Sequence, residues 1–235
     1  KIDLDGNIQW RRYFGGTSND RSYDAIQSTD GGYVIVGSSE SQDVDITRSR
    51  GSYDIWIIKI NDNGNLLWEC SIGGSEYDKG NAIVETMTGE YLVLGQTYSS
   101  DGDILDQSGS SDILMARLSK LGIIEEVKTL GDSGFETAKS IIERPDGTFV
   151  LVGQKSSSSV NYGEQAISND VSLYYTLPNG NLIKSSKLSG AGLDEANDLV
   201  MTQEGKIIVV GSSESSSGDF KNSNGDKDVF IAFWH

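Results

Sequence analysis

Apolar positions along this chain fall in short consecutive runs, not in long alternations or helical stripes. "DIWIIKI" (54–60) is one such run, and "YLVLGQT" (91–97) is another. The second returns as "YVIVGSS" (33–39), "FVLVGQK" (149–155) and "IIVVGSS" (207–213). A strand apolar on successive positions must be covered on both faces, which argues against an open sheet with one wet face. Turn signals separate the runs. "NDNG" (61–64) supplies Asn and Gly where positive φ is needed, and "NLLWECSI" (65–72) reads as its hairpin partner. "NAIVET" (81–86) follows Gly73-Gly74, with a turn at Thr88-Gly89 before "YLVLGQT". No stretch holds a 3.6-residue period over ten positions, so almost no helix is expected.

The pattern repeats every 58 residues. Gly6, Gly64, Gly122 and Gly180 keep that step, as do Gly37, Gly95, Gly153 and Gly211. So do Asp54, Asp112, Asp170 and Asp228, the acids Asp20, Asp78, Glu136 and Asp194, and Tyr33, Tyr91, Phe149 and Ile207. Four units, 1–58, 59–116, 117–174 and 175–232, fill nearly all 235 residues as a single domain. Four short strands per unit, buried on both faces, describe the blades of an all-β propeller, each blade stacking on its neighbours. β-helix coils use much shorter periods, and helical solenoids need helices. A ring of four antiparallel blades is expected, closed by pairing residues 8–14 with 228–234, which would leave no open sheet edge.

Charge narrows the partners. Nineteen basic against 35 acidic residues give a formal charge of −16. Nucleic acid is excluded as a partner, because its binding rests on neutralising phosphates with Lys and Arg. No apolar run approaches the ~18 residues of a spanning helix. The chain opens on Lys1 without a visible signal peptide and reads as a mature or trimmed product. Cys70 stands alone and His235 is the only histidine, which argues against a disulfide framework, a Cys-based metal site and His-based triads.

"IIKINDNGNLLW" (57–68) resembles the tryptophan-docking repeat of pyrroloquinoline-quinone-type propellers. "IGGSEYDKGNAIVETMTGEYLVLG" (72–95) more closely resembles the bacterial β-propeller repeat known as SBBP. The resemblance spans essentially the whole chain and implies a secreted or surface-attached bacterial protein, extracellular in location. It departs where Trp10 and Trp68 give way to Glu126 and Lys184, and where Gly15, Gly73 and Gly131 give way to Ser189. No residue matches quinone-cofactor chemistry, so no catalytic residue is assigned.

Three sets of residues are candidate sites. Asp20, Asp78, Glu136 and Asp194 precede the innermost strand of each blade, near the mouth of the axial channel. Four carboxylates near one axis would hold a cation or raise one another's pKa; caps on local backbone N–H groups explain the same residues. The loops with Asp43, Asp45, Asp101, Asp103 and Asp219, joined by the degenerate "SVNYG" (159–163), alternate acids as calcium loops do. They lack an EF-hand's terminal Glu, and Asx turns account for them without a metal. Tyr53, Tyr77 and Tyr98 form a candidate aromatic platform.

The function expected from this is non-catalytic: an interaction or scaffold module binding a protein or glycan at its loop face, with no cofactor unless calcium. A lectin-like propeller is the first alternative. A glycan-processing enzyme with carboxylates at the channel mouth is the second.

Overall fold

The computed structural model of the chain describes residues 1–156, 168–221 and 223–234. "SVNYG" and His235 therefore lie outside the described residues. Four antiparallel sheets follow one another along the chain. The first holds β1 (Asp20–Gln27), β2 (Tyr33–Ser39), β3 (Asp54–Ile60) and β4 (Leu66–Ile72). The second holds β5 (Asp78–Glu85), β6 (Tyr91–Thr97), β7 (Asp112–Leu118) and β8 (Ile124–Leu130). The third holds β9 (Phe135–Glu143), β10 (Phe149–Ser156), β11 (Asp170–Thr176) and β12 (Leu182–Leu188). The fourth has three strands, β13 (Asp194–Met201), β14 (Ile207–Ser213) and β15 (Asp228–Trp234). Helix is confined, among the described residues, to one 3-10 turn at Gly218–Phe220. None is long and apolar enough to cross a membrane.

The sheets are propeller-like blades. Every residue of β3 is buried, as its unbroken apolar run requires. Alternate residues of a strand face opposite neighbours. Val34, Val36, Ile55 and Ile57 of the first blade pack with Ile83, Tyr91, Val93 and Leu114 of the second. Leu92, Leu94, Ile113 and Met115 then pack with Ala138, Ile141, Phe149 and Leu151 of the third. Val150, Val152, Val171 and Leu173 complete the series against Ala196, Leu199, Ile207 and Val209 of the fourth. Backbone bonds tie the same joints: Asp78 N donates to Tyr53 O (2.8 Å), Glu136 N to Ser111 O (2.8 Å) and Asp194 N to Asn169 O (3.1 Å).

The ends of the chain do not close the ring in the expected way. β15 pairs only with β14, and Ile8 bridges Ile2, so no ladder joins residues 8–14 to 228–234 among the described residues. The reason lies in the repeat. Lys1 and Ile2 stand one period before Lys59 and Ile60, which pair with Trp68 and Leu66. Lys1 and Ile2 take the same places beside Trp10 and Ile8: the Lys1 amino group donates to Trp10 O at 2.7 Å. The outward face of the fourth blade is left open, with Val229 82%, Ile231 62% and Phe233 61% exposed.

The docking tryptophans are half-buried, at the rim of each joint. Trp68 Nε1 donates to Lys120 O at 3.2 Å, and its ring covers the place where a Cβ on Gly122 would stand, 2.6 Å away. Trp10 does the same one period earlier, donating to Asp62 O at 3.0 Å beside Gly64. Gly64 and Gly122 both take φ +75°, so the turn glycine is required twice, for its backbone and for the ring above it.

Candidate functional site

The four channel-mouth acids stand at the start of the first strand of each blade and are bonded there. Asp20 accepts from Gly16 N (2.8 Å) and the Ser39 hydroxyl (2.5 Å). Asp78 accepts from Gly74 N (2.8 Å) and the Ser99 hydroxyl (2.9 Å), and Asp194 from the hydroxyls of Ser213 (2.5 Å) and Ser215 (2.9 Å). Glu136 pairs with Lys155 at 3.1 Å. Asp78, Glu136 and Asp194 are fully buried. Burial pushes Asp78 up to about 6 and Glu136 up to about 7, and raises Asp194. Each acid is held by partners of its own blade or of the loop that leads into it.

The Asp54 series joins them. A Cβ on Gly73 would meet Asp54 Oδ1 at 2.1 Å and Asp78 Oδ2 at 2.7 Å, so two carboxyls flank that glycine. Asp112 and Glu136 flank Gly131 in the same way. Burial pushes Asp112 up to about 6. A carboxyl pair repeated from joint to joint is part of the frame.

The loop acids face backbone donors. Asp43 accepts from Thr17 N (2.9 Å), Asp45 from Gly15 N (3.1 Å), Asp101 from Ser75 N (2.7 Å) and Asp219 from Ser189 N (2.9 Å). Asp103 accepts from Gly73 N (3.3 Å) and forms ion pairs with Arg48 and Arg50 at 2.9 and 2.8 Å. No group of three or more metal-ligating side chains occurs among the described residues. Cys70 is half-buried, and burial pushes its thiol up to about 12, away from a reactive thiolate.

The structure brings the three platform tyrosines into one half-buried row. Ring centroids lie 5.4 Å apart from Tyr53 to Tyr77, 6.1 Å from Tyr77 to Tyr98 and 6.5 Å from Tyr98 to Phe135. Phe135 carries the row to a groove on the innermost strands.

That groove is built by one device used four times. The ladder between first and second strands slips by a residue in every blade: at Tyr23 in β1, Asn81 in β5, Lys139 in β9 and Asn197 in β13. A bulge of this kind re-aims a side chain, and all four residues line the same groove. Gly37, Gly153 and Gly211 sit opposite, where a Cβ would stand 1.8, 1.9 and 2.0 Å from the carbonyls of Arg21, Thr137 and Glu195. The repeated glycine is thus the bulge's requirement. Lys79, Gln96, Thr137 and Gln154 complete the lining with Phe135, and among the described residues no carboxylate lines it.

The groove's cations lean on rings and amides. Lys79 Nζ stands 4.0 Å from the Tyr23 ring centroid, and Lys139 Nζ lies 3.4 Å from Asn197 Oδ1. Among the described residues no carboxylate lies within ion-pairing reach of Lys79, whereas Lys139 has Glu195 at 3.9 Å. Burial lowers the Lys79 pKa, and Lys139 and Arg21 push it the same way.

Comparison with known proteins adds the fold alone. No family model matches the chain, and no curated protein matches it. Among solved structures it is similar to a protein of unknown function from Bacteroides caccae, at 14% identity and a TM-score of 0.53. The match covers 89% of this chain and 59% of that one, so this chain spans less than two thirds of that protein's length.

Proposed function

We propose that the chain is part of a β-propeller of the secreted or surface-attached bacterial type and acts as a non-catalytic binding module. Its ligand seats in the groove of the four bulges. One observation carries this reading: the buried carboxyls are bonded within the frame of the blades, while the groove that collects a side chain from every blade is lined, among the described residues, by no carboxylate. Gly37, Gly95, Gly153 and Gly211 keep their residue type in every unit, as do Asp54, Asp112, Asp170 and Asp228. At the bulge the same position reads Tyr, Asn, Lys, Asn, as a surface shaped for one ligand would. The likeness of "IGGSEYDKGNAIVETMTGEYLVLG" to SBBP repeats supports the secreted setting.

A second reading, carbohydrate binding, draws on the aromatic row. Rings from Tyr53 to Phe135 lead to carboxamides at Asn81, Gln96, Gln154 and Asn197, and sugar rings stack on such faces while their hydroxyls bond to amides. A glycan array probed with the chain and with N81W, which fills the groove, tests it. Retention by the chain and loss by N81W supports a lectin. An empty array returns the reading to a protein partner.

A further inference from the structure

The chain carries 35 acidic residues, yet among the described residues the groove's lining holds Lys79 and Lys139 and no acid, with Glu195 3.9 Å from Lys139 and no carboxylate at that reach of Lys79. Polar surface of one sign inside a cleft focuses the field on whatever enters. A half-buried ammonium without a counter-ion is an expense of folding that an anion would relieve. The Tyr23 ring face stabilises the cation in part, and Arg21 stands similarly 5.7 Å from the Tyr53 ring. The cations of blades one and two are thus held against aromatic faces, and Lys139 of blade three lines the same groove as Lys79.

We infer that the groove takes an anionic saccharide, its acid group beside Lys79 and Lys139 and its hydroxyls among the carboxamides of Asn81, Gln96, Gln154 and Asn197. The inference rests on the groove being the binding site. A neutral sugar would use the amides and rings and leave Lys79 unpaired. A bare small anion would use the lysines and leave unused the amide atoms that stay open once Asn81 donates to Ala138 O (2.9 Å), Gln96 to the Ser111 hydroxyl (2.8 Å) and Asn197 accepts from Lys139 (3.4 Å). A charged sugar uses both sets, and the Phe135 and Tyr23 rings border the space its ring would fill.

Titration with three oligosaccharides of equal length, one of uronic acids, one sulfated and one neutral, tests this. The expected result is binding of an acidic oligosaccharide at least tenfold tighter than the neutral one, weakening as salt is raised. Whichever acid binds identifies the anion as carboxylate or sulfate. K79M, at a half-buried position that makes no ion pair, should fold normally and lose at least tenfold in affinity for the acidic probe. K139M should do the same. Equal affinity for neutral and acidic probes overturns the inference and leaves the binding-module reading standing. Indifference of affinity to both lysine substitutions overturns it too. Failure of all three probes overturns it as well, and the array above then shows whether the groove binds anything else.

Discussion

Lys79 Nζ lies 4.0 Å from the centre of the Tyr23 ring, joining the innermost strand of the second blade to the bulge of the first. The contact exists because the ladder slips at Tyr23 in β1, and its side chain lines the same groove as Lys79 of the next blade. Y23A should therefore act locally. It should remove the cation–π contact, worth ~0.5–1 kcal/mol at a partly exposed site, and leave the fold intact. A shift of several degrees in Tm would contradict this assignment.

Stability should fall between about pH 4 and pH 7. Asp78, Asp112 and Glu136 hold their protons to about 6, 6 and 7 in the folded chain. Carboxyls of the unfolded chain lose theirs near 4. In that window the folded state binds more protons, so each rise in pH favours unfolding. Acids whose pKa is lowered, such as Asp30 through its hydrogen bond to Lys59, set the lower limit, because their stabilisation is lost as pH falls below about 4. Thermal melts should give a higher Tm at pH 5 than at pH 7.5. D78N should flatten that slope. A Tm rising steadily to pH 7.5 would remove the buried carboxyls from this account.

Trp68 caps the joint between the first two blades from its rim. W68A should cost about 2 kcal/mol, below the ~3–5 of a fully buried aromatic, since the ring packs against the core but is only partly buried. W68F should recover most of the packing and lose only the bond to Lys120 O. Chemical denaturation of the two variants checks the order.

Equivalent positions on blades two and four should respond oppositely. Met115 lies in the joint between blades two and three, and Ile231, two periods later, is 62% exposed on the open face of the fourth. M115K should destabilise the chain severely by burying an unpaired charge, and I231K should leave Tm nearly unchanged. Strong destabilisation by I231K would mean that the fourth blade is covered after all.

Calcium and chelator should both leave Tm unchanged. Asp101 and Asp103 spend their oxygens on Ser75 N, Gly73 N and two arginines. A Tm that drops with chelator and returns with calcium would show that these loops hold the ion.

Much of the frame is legible in the sequence for simple reasons. "DIWIIKI" marks a strand buried on both sides, and the turn glycines fall at positive φ because no other residue takes that conformation freely. Tyr53, Tyr77 and Tyr98 each stand next to a strand end in the sequence, and their rings meet in one row. The groove is harder to see. Whether a strand slips by one residue depends on its partner's carbonyls and not on its own pattern, so Tyr23, Asn81, Lys139 and Asn197 look like ordinary exposed positions. Their one signal is a changing residue type at a fixed phase, opposite an unchanging glycine. Closure failed to follow from counting units because Lys1 and Ile2 already fill the register that Phe233 and Trp234 would need.

The central claim is that binding belongs to the bulge groove and not to the buried acids. Affinity for a ligand recovered from the array, measured by titration calorimetry on N81A, N197A and D78N, separates the two. The account predicts that N81A and N197A each lose at least tenfold while D78N keeps the affinity of the unaltered chain. Loss of binding in D78N with both asparagine variants unaffected would contradict it and return the site to the channel-mouth carboxylates.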